Sequence, residues 1–232
     1  TAAARDIDPI ASRVEAAVSD VEARIGPLHG PLAVNLIDTV WGNGAFAGSR
    51  EITLSYSDRN YGPAIGLDGL DVVIRHEVTH VAVADNHWLS DQASDYFGEG
   101  LAVFLAGGHY KAEPIPARAA ALRQIDAYIP LGRVFTTFTS NHEVRYLESA
   151  AVIAYLETRY GWDALLPFFK DSSYPSDEWL GAALKAHFGL SLFEFEEQFT
   201  GWLDAQNVGS QAEDLKWTLE VQELRRQYQS TR

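Results

Sequence analysis

An α+β fold is what this sequence predicts, with a few strands early and helices after them. Three observations carry that expectation. Residue patterns of strand type are confined to positions 31 to 56, while apolar residues at three- and four-residue spacing govern most of the chain from Asp71 onward. The third is punctuation: 18 Gly and 9 Pro cut the chain into short elements throughout, which excludes a coiled coil. With 232 residues, 47% of them apolar and 12% aromatic, there is enough material for the core of one large domain, and disorder is excluded for most of the length.

Taken in order, residues 1–26 form an N-terminal helix. Asp8-Pro9 is a cap-then-proline start, Ile7, Ile10, Ala11, Val14, Val18, Val21 and Ile25 recur on one face, and Gly26-Pro27 stops it. Residues 31–110 hold the strands and the first long helices. Pro31 to Asp38 reads as a strand, Gly42-Asn43-Gly44-Ala45-Phe46-Ala47-Gly48 as a Gly-rich passage, and Glu51 to Tyr56 as a half-buried edge strand. Asp58 to Gly69 is loop, with a turn at Gly62-Pro63. Leu70, Val73, Ile74, Val78 and Val81 then stripe a helix that runs to about Asp85. Asp91 to Leu105 is a second helix, ended by Gly107-Gly108.

Residues 111–207 are the helical part. Pro114, Pro116 and Pro130 restrict 111–140 to short helices and loops, and Tyr146 to Tyr160 is a strong helix stopped by Gly161. Asp163 to Lys170, Asp177 to His187 and Ser191 to Ala205 follow, the last opening with the capping box Ser191-Leu-Phe-Glu194. The polar tail 208–232 reads as a loosely docked amphipathic helix. With no internal repeat, residues 1–232 are expected to be a single domain.

Composition bounds the partners. The charge of −14 repels phosphate backbones, so no nucleic-acid partner is expected. No run approaches the ~18 apolar residues of a membrane span. The absence of Cys excludes disulfide scaffolds, thiolate metal sites and cysteine nucleophiles. It also suits an extracytoplasmic home. The opening Thr1-Ala2-Ala3-Ala4, without Met, fits a secreted or membrane-tethered protein whose leader has been removed.

The chemistry sits in Arg75-His76-Glu77-Val78-Thr79-His80. On a helix His76 and His80 lie one turn apart on one face, so both imidazoles reach one ion, and Glu77 stands beside them. Chance gives roughly 0.015 such His-Glu-x-x-His runs in a chain of this composition. Two nitrogen ligands suit Zn2+, which needs a third protein ligand and an open position for water. His87 is out of register for the long motif that ends in a third histidine: the glycine position is Val83 and the last-histidine position is Asn86. Glu99 is the better candidate. Eighteen residues separate it from His80, enough for one helix to end and a second to return antiparallel.

His76-Glu77-x-x-His80, eighteen residues and Glu99 resemble the gluzincin metallopeptidases, the thermolysin-like and aminopeptidase-like branch of the zincin fold. Glu99-Gly100-Leu101-Ala102 is similar to the Glu-Gly-x-Ala run of peptidase-MA-like families, and Tyr146-x-x-Ser149 to their downstream helix. The resemblance implies a zincin-like fold, His76, His80 and Glu99 as zinc ligands, and Glu77 as general base. It also implies Tyr146 as the transition-state donor; His142, in Asn141-His142-Glu143, is the second candidate for that role. Ile129-Pro130-Leu131 and Phe188-Gly189-Leu190-Ser191 are further points of likeness.

Two departures shape the expectation. Where aminopeptidases of this branch carry Gly-x-Met-x-Asn with a glutamate for the substrate's amine, this chain has Gly44-Ala45-Phe46-Ala47-Gly48. An endopeptidase acting on peptides or proteins is therefore expected over an aminopeptidase. The position one turn after Glu99, acidic in thermolysin-like enzymes, is Val103, so orienting a zinc histidine must fall elsewhere, with Asp95 one option. The alternative reading is a zinc-containing pseudo-peptidase serving as a binding module in a cell-envelope assembly; a retained Glu77 argues against it. His29, His109 and His187 have no partner at ligand spacing. Asp91, Asp95 and Glu99 share a face that reads as solvated apart from one ligand, and Phe46 and Trp88 are candidates for lining a substrate cleft.

Overall fold

The computed structural model describes residues 2–37, 45–56, 68–134, 142–175 and 178–230. The chain divides into two compact units, one of residues 1–89 and 101–113, the other of residues 90–100 and 114–232. Among the described residues the chain is mostly helical with a three-stranded sheet, which places the protein in the α+β class. Among the described residues no helix is long and apolar enough to cross a membrane.

In the first unit, α1 (Ile7–Ile25) buries Ile10, Val14, Ala17, Val21 and Ile25, the face its periodicity predicts. Each large aliphatic among them contributes about 1.5–3 kcal/mol. Gly26, at φ 115°, ends the helix, and its N–H still reaches the Glu22 carbonyl at 2.9 Å. Three strands follow: β1 (Ala33–Ile37), β2 (Ala45–Gly48) and β3 (Glu51–Ser55). Their order is β1-β3-β2, with β1 parallel and β2 antiparallel to β3.

That order corrects the edge assignment. The strand at Glu51–Ser55 is central: Ile52, Leu54, Thr53 and Ser55 are all buried, and among the described residues the edges are β1 and β2. The Gly-rich passage also contains a strand, because Ala45 to Gly48 pairs with β3 across the two-residue turn Ser49-Arg50. Arg50 takes a left-handed φ of 59°, and its guanidinium is held by the His29 carbonyl at 2.7 Å and Asp85 at 3.0 Å. Residues 42–44 of that passage, Trp41, and the loop with Gly62-Pro63 lie outside the described residues.

The helix α2 (Asp68–Asp85) packs on α1, β2 and β3. Arg13–Asp71 at 2.5 Å and Arg75–Asp20 at 2.8 Å tie it to α1. Both pairs are part-exposed, so each is worth no more than ~1 kcal/mol. From Leu70 to Ala82 nearly the whole circumference is buried, which is the setting in which His76 and Glu77 occur.

The helix α3 (Asp91–Ala106) contributes residues to both units. In the second unit it is joined by α4 (Ile115–Gln124), a helical turn at Leu131–Val134, α5 (His142–Tyr160) and α6 (Leu165–Lys170). The last three are α7 (Trp179–Phe188), α8 (Leu192–Asp204) and α9 (Gln211–Ser230). The core is aromatic: Phe97, Phe168, Phe169 and Trp179 are all fully buried with ring centroids 5.1–6.1 Å apart. The capping box at α8 forms as expected, the Ser191 N–H donating to Glu194 at 2.8 Å.

The C-terminal helix is anchored more firmly than its polarity suggests. Arg118 of α4, fully buried, pairs with Asp214 and donates to Thr218 Oγ1 at 3.0 Å, while Gln222 donates to buried Glu143 at 3.1 Å. Leu215 is fully buried on the same side. Sequence periodicity could not find this docking because it rests on polar partners 79 to 100 residues away.

Candidate metal centre

The middle of α2 concentrates ionisable groups where a stability-driven sequence would place apolar ones. His76 and Glu77 are each 7% exposed, and Val78, Ile74, Val81 and Ala82 around them are buried. Burying such groups costs free energy unless they are compensated, so their place in the core makes this stretch a candidate site. Thr79, also buried, satisfies its hydroxyl within the helix by donating to the Arg75 carbonyl at 2.8 Å.

One helical turn brings the two imidazoles together. His76 Nε2 and His80 Nε2 lie 3.1 Å apart, with ring centroids at 4.8 Å and planes at 76°. Two nitrogens bound to one tetrahedral zinc stand about 3.3 Å apart, so this pair is spaced as a metal requires. Glu99 of α3 completes the group: one ligand atom from each of His76, His80 and Glu99 lies within 4.8 Å of the others. The donor set, two imidazole nitrogens and a carboxylate oxygen, can hold a divalent metal and leave a coordination position open.

The residue after Glu99 has a physical reason to be glycine. A Cβ on Gly100 would sit 1.9 Å from Ser149 Oγ and 2.8 Å from the Ser149 main-chain carbon of α5. Ser149 in turn donates to the Tyr96 carbonyl at 2.8 Å, and Arg145 donates to the Asp95 carbonyl. These contacts lay one stretch of α5 along Asp95–Gly100. Tyr146, half-buried, lies on that stretch, and His142, exposed, has its ring 6.1 Å from Tyr146. Asp91 and Asp95 are exposed, as a solvated face predicts, and so is His87. Trp88 is 4% exposed and belongs to the core, whereas Phe46 is 55% exposed on β2.

His109 has no partner at ligand spacing in the sequence, yet the structure places its ring 5.9 Å from that of His76, the planes tilted by 31°. The Gly107-Gly108 turn carries it there, an effect no helical periodicity encodes. Nor does the sequence draw attention to Glu148, which is fully buried on α5 and accepts the Ile129 N–H at 2.7 Å. Burial raises its carboxyl well above the ordinary glutamate value; the Ile129 N–H opposes this, and the neighbouring charge of Glu196 adds to it. Glu196 accepts from Tyr128 Oη at 2.9 Å and from the Leu131 N–H at 2.8 Å. Together the two carboxyls hold Ile129-Pro130-Leu131. His187 also has a partner, Asp171 at 2.9 Å.

Comparison with protein-family models, with curated proteins and with solved structures returned no match. The functional reading therefore rests on this centre alone.

Proposed function

We propose that the chain is a zinc-dependent metallopeptidase of zincin-like fold, cleaving internal peptide bonds of peptides or proteins. The observation that carries the reading is the convergence of His76, His80 and Glu99 within 4.8 Å, beside a buried Glu77. Zinc held by those three side chains would supply Lewis acidity, polarising a substrate carbonyl and making water a competent nucleophile near neutral pH.

The chain's own residues do the rest. Glu77 takes a proton from the attacking water as the new C–O bond forms, and delivers it to the departing amide nitrogen as the C–N bond breaks. Tyr146 serves as hydrogen-bond donor to the developing oxyanion, with His142 the second candidate; one good donor is worth about 3–4 kcal/mol. Glu77 and His76 are buried and His80 is half-buried, which limits the access of bulk water to the proton's path.

The test is cleavage of a mixed peptide library by zinc-loaded protein, read by mass spectrometry, with Glu77→Gln as control. Internal cuts are expected, and the variant should lose about 10²–10⁴-fold in rate while keeping its metal. A folded, zinc-loaded protein that leaves every peptide intact would instead favour a binding role, and cuts confined to amino termini would overturn the endopeptidase assignment.

A further inference from the structure

A metal-binding imidazole has a soft torsion between its ring and its Cβ, so something outside the ligand set must fix its plane. The acidic residue one turn beyond Glu99 that would do so in similar sites is Val103 here, and Asp95 is exposed. Two rings stand beside His76. His80 meets it edge-on at 76°, and His109 meets it at 5.9 Å and 31°. His109 is backed by Tyr110, whose ring lies 3.8 Å away at 31° and is 54% exposed.

The turn that presents His109 is tightly built. The Gly108 N–H donates to the Val103 carbonyl at 3.1 Å, and the Glu113 N–H to the Gly107 carbonyl at 2.8 Å. Gly107 and Gly108 have φ of 75° and 154°, and a Cβ on Gly108 would lie 1.9 Å from the Lys111 carbonyl oxygen. The Tyr110 carbonyl packs so close to Gly69 of α2 that a Cβ there would be 2.9 Å from it. His109 is thus half-buried on a braced turn, pressed toward one ligand.

We propose that His109 is a positioning residue: its ring, backed by Tyr110, fixes the plane of the His76 imidazole so that Nε2 points at the metal. It acts by packing and not as a fourth ligand, because no His109 atom belongs to the group of mutually close donor atoms. The inference rests on His76, His80 and Glu99 forming a metal centre.

The experiment measures zinc affinity of the full chain by competition with a chromophoric chelator, the visible spectrum of the cobalt-substituted protein, and the melting temperature of the metal-free protein. His109→Ala should weaken zinc binding about 10–100-fold and alter the cobalt bands, with little change in metal-free melting. His109→Phe, which restores a flat ring without nitrogen, should recover most of that affinity. Should His109→Ala not fold, Tyr110→Ala, at an exposed position, should give a smaller loss of affinity in the same direction. Unchanged affinity and spectrum in these variants overturns the positioning role while leaving the metal centre standing. A Phe variant as weak as Ala overturns it in favour of ligation by nitrogen. A wild-type chain that binds no zinc overturns the centre itself, and this inference with it.

Discussion

Gly100→Ala tests how tightly the ligand-bearing helix is held. In an open helix this change stabilises by about 1 kcal/mol, because alanine is the better helix former. Here the new methyl carbon would lie 1.9 Å from Ser149 Oγ, 2.4 Å from its Cβ and 2.8 Å from its main-chain carbon. The hydroxyl alone could swing away, but the other two atoms cannot, so α3 and α5 must separate by several tenths of an ångström. Overpacking of this kind costs about 1–3 kcal/mol. Displacing the Ser149 hydroxyl from the Tyr96 carbonyl costs about 1 kcal/mol more. Against the helix-propensity gain, the net is a loss of about 1–3 kcal/mol, or about 2–12 °C in melting temperature for a chain of this size. Thermal and urea unfolding followed by circular dichroism would measure it. Gly100→Ala/Ser149→Gly should recover part of the loss, with a coupling of at least ~0.5 kcal/mol. A single variant as stable as wild type, or strictly additive effects, would refute the close contact.

Zinc should raise the melting temperature of the wild-type chain, by the equivalent of about 2.7 kcal/mol when free metal is a hundredfold above its dissociation constant, and a chelator should reverse it; no shift would remove the metal centre. Glu148 gives a pH signature. Its folded-state carboxyl is raised by burial above the ordinary value of 4.5, so the folded chain retains a proton that the unfolded chain has released. That contribution is fully present below the unfolded pKa and is lost as pH rises through the window above it. Glu148→Gln, uncharged at every pH, should therefore gain in melting temperature over wild type as pH rises above the ordinary glutamate value of 4.5. A difference independent of pH would show that Glu148 keeps an ordinary pKa.

Local pattern carried some of this architecture and not the rest. The buried faces of α1 and α2 and the cap at Ser191 follow from spacing and capping chemistry, and the four-residue spacing of His76 and His80 is what brings their imidazoles together. The small strand β2 escaped because Ala45, Ala47 and Gly48 have poor strand propensity and pair only by virtue of β3. Whether β3 is edge or centre depends on β1, eighteen residues away in the pairing Ala33–Glu51, which no window of sequence contains. His109 and Glu148 are silent in the sequence for a similar reason. One is delivered by a turn, the other buried by helices whose polar partners are remote.

The order of the strands implies an order in time. The β2–β3 hairpin closes over two residues, an event of about 1–10 μs, whereas β1 must find β3 across a longer separation in sequence and in parallel, which carries a larger entropic barrier. The hairpin is therefore the template and β1 the late arrival. Pulse-labelling of amides during refolding should show protection at Phe46 and Thr53, paired across the β2–β3 hairpin, before protection at Ile52 and Leu54, whose N–H groups face β1; simultaneous protection would mean that the sheet condenses in one step.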